Sequence, residues 1–255
     1  MLTNKTFSIH IYCHHKLLEV FMQIAELRIA RHDAAVRTEN GGGEEVKNSR
    51  LFVEKQLLAF EEDYHIKKWV DFLRYKHPDT YMHCKRVALL AGKLADSFLF
   101  DLAKKDQLVK GCFLHDLGKA YIPLHILNQK ESLSKQQWEI VKLHTSIGAE
   151  LLESIPRIDP AVIDVIRYHH ERWDGKGYPE GLAGDNIPLF ARICTVVDSF
   201  DTMISDHPYR KKLPVEEARN RLLQHGGTQF DSAIVHCFLS LTDEALELDQ
   251  VTDRI

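Results

Sequence analysis

Seven side chains have types and spacing that could do chemistry: His83, His115, Asp116, His144, His169, His170 and Asp198. A lone histidine is more often a surface or hydrogen-bonded residue than a ligand. Adjacency changes that balance. His115–Asp116 and His169–His170 each send imidazole or carboxylate groups in diverging directions from a helix end, which suits a metal site assembled from several helices. Imidazoles with carboxylates and no thiolate suit iron, manganese, zinc or nickel, and the set exceeds what one ion of roughly four to six ligands needs. Two ions are therefore expected. Held ~3.5–4 Å apart, they can bridge a hydroxide, bring the pKa of water toward neutrality and stabilise a phosphoryl group during in-line displacement. The chemistry implied is phosphoester hydrolysis.

The elements that must position these groups read as helices, because apolar residues recur at three- and four-residue intervals and runs of alternating β-branched residues are few. DTYMHCKRVALLAGKLADSF and PLFARICTVVDSFDTMISD are amphipathic, the second with Asp198 in its middle. SKQQWEIVKLHTSIGAELL opens with Ser134 and Gln137 in capping-box spacing, and DPAVIDVIRYHH with Asp159 at the cap and Pro160 in the first turn. The stretch that follows, YHHERWDGKGYPEG, carries Asp174, Gly175, Gly177 and Pro179, the residues of a polar turn-rich loop. No repeat of fixed period is present. The fold class expected is all-α.

Upstream, RTENGGGEEVKNSR (Arg37–Arg50) loses all apolar periodicity and reads as a linker. Before it, Leu17, Leu18, Phe21, Ile24, Ala25 and Leu27 follow helical spacing, so residues 15 to about 35 are expected to form an amphipathic helix. Such a helix must pack on the main domain or on a second chain, which makes a homodimer one expectation. The chain thus divides into residues 1–50, helix and Gly-rich linker, and residues 51–255.

The 255 residues are long enough for one large domain, and 44% hydrophobic with 27% charged residues is the composition of a soluble globular protein. A net charge of only -4 gives no reason to expect DNA, RNA or a membrane surface as partner. Cys13, Cys84, Cys112, Cys194 and Cys237 form no CxxC pair, which reads as reduced thiols in the cytoplasm. The first thirty residues suit neither a secretory signal nor a spanning helix.

HDLGK (His115–Lys119), HHERWDGKGYP (His169–Pro179) and VVDSFDTMISDHPYR occur in order with HCKRVA, IPLHIL and KLHTSIGAELL, from about Pro78 to Phe238. Together they resemble the HD-GYP subgroup of HD-domain phosphohydrolases. The resemblance implies an HD-domain helical bundle with an HD-GYP extension behind a short N-terminal helical segment. It further implies hydrolysis of cyclic di-GMP to pGpG or GMP through a metal-bridging hydroxide, with iron or manganese as the metals. His83, His115, Asp116, His144, His169, His170 and Asp198 would be the ligands, Asp116 bridging the ions. Lys119 resembles a lysine near the scissile phosphate, where its charge would meet the anionic transition state; as a plain helix feature it would only favour a C-terminus. Tyr178 would stack on guanine or donate to phosphate, on a loop that Gly177 lets approach the nucleotide closely; the other reading is a rigid loop that shields the metals and packs Trp173. The same loop is similar to a docking surface for GGDEF-type partners.

Three departures from the family pattern stand out. Asp79 replaces the glutamate of members with a third metal, so two ions are expected and a third stays open. His207 stands where an arginine usually grips phosphate, leaving Arg210 and Lys211 as the nearby cations. FDTM replaces FDAL, a change expected to affect packing alone. The alternatives to cyclic di-GMP turnover are a non-catalytic nucleotide receptor or scaffold, and a phosphohydrolase of another nucleotide such as cyclic GMP-AMP.

Overall fold

A computed structural model describes residues 51, 53–60, 64–155, 158–206 and 211–241. The expected N-terminal helix, its linker and any self-association through them lie outside the described residues, as do His207 and Arg210. After a helical stretch over 53–60 come α1 (Tyr64–Lys76), α2 (Pro78–Ser97), α3 (Leu102–Leu114), a 3-10 turn (Leu117–Tyr121), α4 (Leu124–Leu127), α5 (Lys135–Glu153) and α6 (Pro160–Tyr168). A second 3-10 turn (Gly184–Asn186), α7 (Leu189–Ile204), α8 (Val215–Gln224) and α9 (Ser232–Leu239) complete the order. Among the described residues there is no strand, only the isolated bridges Asp174–Ala183 and Gly226–Phe230, so the fold is all-α as expected.

Local chemistry sets the helix starts. Ser134 Oγ accepts from Gln137 N at 3.2 Å while Gln137 Oε1 accepts from Ser134 N at 2.9 Å, closing the capping box of α5. Asp159 Oδ1 accepts from Ala161 N at 2.9 Å ahead of α6, with Pro160 in the first turn. Each such cap contributes about 1 kcal/mol.

The core lies where α2 crosses α3 and α7, and where α3 crosses α6. Val87, Leu90 and Leu94 from α2 meet Leu108, Cys112 and Phe113 from α3 and Val196, Val197 and Phe200 from α7, all buried. Full burial of such side chains contributes roughly 1.5–3 kcal/mol each. Small residues set the spacing: a Cβ on Gly111 would lie 2.8 Å from Val165 Cβ, so α3 and α6 touch almost backbone to side chain. The same apolar contacts bring one end of α3 and α6, the middle of α5 and α7 and the second turn of α2 to a common point.

Candidate metal centre and active site

That common point holds all seven sequence-picked groups. His83 comes from α2, and His115 and Asp116 from the joint between α3 and the 3-10 turn. His144 comes from α5, His169 and His170 from the end of α6, and Asp198 from α7. They form two groups whose ligand atoms lie within 4.8 Å of one another: Asp116, His144, His169 and His170; and His83, His115 and Asp198. Asp116, 1% exposed, faces both. Its Oδ1 is 3.3 Å from His144 Nε2 and 3.9 Å from His169 Nε2, while its Oδ2 is 3.4 Å from His115 Nε2 and 3.8 Å from His83 Nε2. Asp198 Oδ1 lies 3.0 Å from His83 Nε2 and 3.8 Å from His115 Nε2.

The ring orientations test whether a cation fits. Nδ1 of His115 donates to Cys112 O at 2.7 Å, Nδ1 of His144 to Val141 O at 2.7 Å and Nδ1 of His169 to Ile166 O at 2.9 Å. In the neutral form that ligates a metal, each of these rings keeps its proton on Nδ1 and turns a bare Nε2 inward. His144 Nε2 and His169 Nε2 are only 3.3 Å apart, two lone pairs face to face. Buried His115 Nε2 and Asp116 Oδ1 have no hydrogen-bond partner. Buried acceptors turned on one another call for a cation, and neutral imidazoles with carboxylates are the donors a divalent ion takes.

The protonation states divide the cluster: against the cost of burial, the Asp198 and Asp201 carboxylates raise His83 to about 9 and Asp116 raises His115 well above its usual value, whereas the other three rings go down. Burial, with the charges of His170 and Lys119, pushes His144 down to about 3 against the pull of Asp116. Burial likewise takes His170 down to about 4 and His169 well below its usual value. These rings stay neutral and ready to ligate. Burial would raise Asp116, yet the Lys119 ammonium and His115 hold it well below the carboxylate range.

An open cavity of about 1250 Å³ lies over the cluster, walled by Asp116, Lys119, His170, Tyr178, Arg86 and residues of the 128–133 segment. Small-molecule sites usually measure ~300–1,000 Å³, so a dinucleotide has room. Lys119 Nζ sits 2.6 Å from Asp116 Oδ2, with the side chain a quarter exposed to the cavity. Tyr178 stacks on His170, ring centroids 4.8 Å apart at 28°, with Trp138 edge-on at 6.2 Å and Lys142 Nζ 5.8 Å from its ring.

A family model described as HD domain matches residues 69–234. The chain belongs to the HD domain family. This HD domain is 35% identical over 175 residues to a protein of Thermotoga maritima named cyclic di-GMP phosphodiesterase, covering 68% of this chain and 48% of that one. It is 31% identical over 203 residues to the 3'3'-cGAMP-specific phosphodiesterase 2 of Vibrio cholerae, covering 79% of this chain and 38% of that one. The chain thus spans half or less of the length of these relatives. Among solved structures, an HDGYP protein of Bdellovibrio bacteriovorus matches with a TM-score of 0.57 over 84% of this chain and 78% of that one, at 19% identity, a likeness of fold. The HD domain implies a divalent metal, and the donor set here fits it. Among the described residues no helix is long and apolar enough to cross a membrane.

The remaining expectations divide. Asp79 lines the cavity of the HD domain but is exposed and stands outside both ligand groups. Lys211 is exposed and does not line the cavity, whereas Lys212 does. Gly177 has a different task from the one expected: a Cβ there would lie 2.4 Å from Arg172 N and 2.6 Å from His170 O, so its bare Cα lets the loop fold onto its own backbone. Glu171 fixes that loop, its Oε1 accepting from Glu180 N at 2.7 Å and Gly181 N at 2.9 Å. Thr202, expected to matter for packing alone, has its Oγ1 3.3 Å from Asp198 Oδ1 and lines the cavity, so its hydroxyl joins the site.

Sequence reading missed three residues. Cys84, fully buried, groups with His115 and Asp116, although no thiolate was counted among the donors. Asp201 lies against His83 and Arg86 against Asp201; the signals available were their i,i+3 spacing from Asp198 and His83.

Proposed function

We propose that residues 51–255 form an HD-GYP-type phosphodiesterase that hydrolyses cyclic di-GMP with two divalent ions, iron or manganese. The observation that carries the reading is Asp116, one oxygen against each of two ligand groups, with Lys119 beside it on the cavity floor. The ions would polarise the phosphoryl group and acidify a water toward neutrality. His83, His115, His144, His169, His170 and Asp198 would hold them, the rings of His83, His115, His144 and His169 fixed by their Nδ1–H bonds. The Lys119 ammonium would meet charge developing on the phosphodiester, and Tyr178 would offer its ring to a guanine. Asp79, placed in the first turn of α2, is the only sequence-based candidate for a third ion. A GGDEF-type partner at the 177–179 loop, self-association and a cytoplasmic location remain parts of the same proposal. The Vibrio cholerae relative favours one second reading, cyclic GMP-AMP as substrate.

The test is anaerobic turnover by protein of known metal content, with cyclic di-GMP and cyclic GMP-AMP in parallel and chromatography separating pGpG from GMP. Turnover of cyclic di-GMP with two ions per chain is expected; a filled centre that cleaves neither dinucleotide would overturn the proposal. Lys119→Ala should lower kcat on the order of 10²–10³-fold, the loss typical of one transition-state donor, with metal content unchanged. Tyr178→Ala should raise KM about 5–150-fold, because stacking contributes ~1–3 kcal/mol per base, while Tyr178→Phe keeps the ring and the affinity. Equal losses in the two Tyr178 variants would assign the contact to the hydroxyl instead.

A further inference from the structure

Three of the inward-facing imidazoles anchor Nδ1 on a carbonyl of their own helix: Cys112 O, Val141 O and Ile166 O. His83 does not. Its Nδ1 lies 2.7 Å from Oδ2 of Asp201, a carboxylate from another helix, 118 residues on. Asp201 is 0% exposed, and a buried carboxylate needs its charge and lone pairs answered. Arg86 answers both: its Nε donates to Oδ1 at 2.8 Å and its Nη2 to Oδ2 at 2.9 Å, a planar fork that fixes the plane of the carboxylate. Arg86 Nη2 also donates to Ser205 Oγ at 3.1 Å.

The geometry is one face of α2 meeting one face of α7. His83 and Arg86 are three residues apart on the first, Asp198 and Asp201 three apart on the second, so each acid meets its partner in register. His83 is held between two carboxylates, Asp201 on Nδ1 and Asp198 3.0 Å from Nε2. A buried ion pair is a weak stability device, since apolar residues of similar volume do as well. What the pair supplies that apolar residues cannot is a charged acceptor aimed at one imidazole nitrogen.

We infer that Arg86 and Asp201 are positioning residues that fix the ring and raise the donor strength of His83, and so set the affinity of the ion held by His83, His115 and Asp198 but not of the other ion. This rests on the two-ion reading above. Arg86 orients Asp201, Asp201 accepts the Nδ1–H hydrogen bond of His83, and Nε2 is left to ligate.

The test is a Mn²⁺ titration of the metal-stripped full chain, followed by calorimetry and by electron paramagnetic resonance, with no substrate present. The parent should bind two ions and show the exchange-coupled signal of a pair. Asp201→Asn should weaken one ion ~10–100-fold, the usual effect of removing such an outer partner, and leave the other unchanged. At limiting Mn²⁺ its spectrum should be that of an isolated ion. Arg86→Gln should shift the same ion in the same direction, with Arg86→Lys between it and the parent, because an ammonium restores charge without the fork. Isotherms matching the parent's in Asp201→Asn and Arg86→Gln, even with lowered thermal stability, would overturn the relay and leave a structural pair. If Asp201→Asn does not fold, the two Arg86 variants decide by the same comparison. A parent that binds no Mn²⁺ overturns the proposed function and the relay together, whereas a parent with two ions and unshifted variants overturns the relay alone.

Discussion

Asp116→Ala should abolish measurable turnover, a loss of at least about 10³-fold, and should lower the metal bound per chain. The expected effect exceeds that of a single lost transition-state donor, which costs on the order of 10²–10³-fold, because Asp116 serves both ligand groups at once. Its two oxygens stand 3.3 Å and 3.4 Å from the Nε2 atoms of His144 and His115, and its charge is the nearest answer to Lys119, 2.6 Å away. Without it, Lys119 has no carboxylate within ion-pair distance among the described residues, and the ammonium is left to compete with any cation entering the site. Plasma emission on dialysed protein, paired with the turnover assay, gives both numbers. Metal content equal to that of Lys119→Ala would contradict the division of labour between a residue that holds metal and one that meets substrate.

What the sequence made legible is what local chemistry encodes. The caps at Ser134 and Asp159 and the apolar periodicity of α2, α5, α6 and α7 needed only neighbours within a turn, and the structure has them where expected. The paired residues His115–Asp116 and His169–His170 were conspicuous because adjacency is visible in one dimension. The Arg86–Asp201–His83 contact was not, because two ordinary i,i+3 pairs become one network only when α2 packs on α7. Cys84 was passed over and Thr202 assigned to packing for the same reason: their distance to the centre is set by helix rotation, to which residue type gives no direct clue. Gly177 shows the reverse error. Its lack of a side chain was noticed, but the surface it approaches is the backbone of residues 170–172.

Gly118→Ala should be the most damaging single methyl in the domain. A Cβ at Gly118 would lie 2.0 Å from His144 O and 2.8 Å from Gly148 N, so it meets the backbone of α5 and no side chain that can turn away. The 3-10 turn carrying Lys119 must then part from the helix carrying His144, by roughly the 1 Å that already costs on the order of 10²-fold in a positioned site. Overpacking against fixed backbone belongs at the upper end of its usual range, about 3 kcal/mol, or roughly 6–12 °C in Tm for a domain of this size. The matched comparison is Gly92→Ala, whose Cβ would lie 2.4 Å from Val53 Cγ2, a methyl that rotation of one side chain can move. That variant should lose about 1 kcal/mol and keep its metals and its turnover. The two clashes differ in what must yield. At Gly92 it is a rotamer remote from the ligands, and at Gly118 it is the crossing that holds His144 against Asp116. Thermal unfolding and Mn²⁺ binding measured on both variants separate these cases, and a Gly118→Ala protein with full metal affinity would show that the crossing does not set the position of His144.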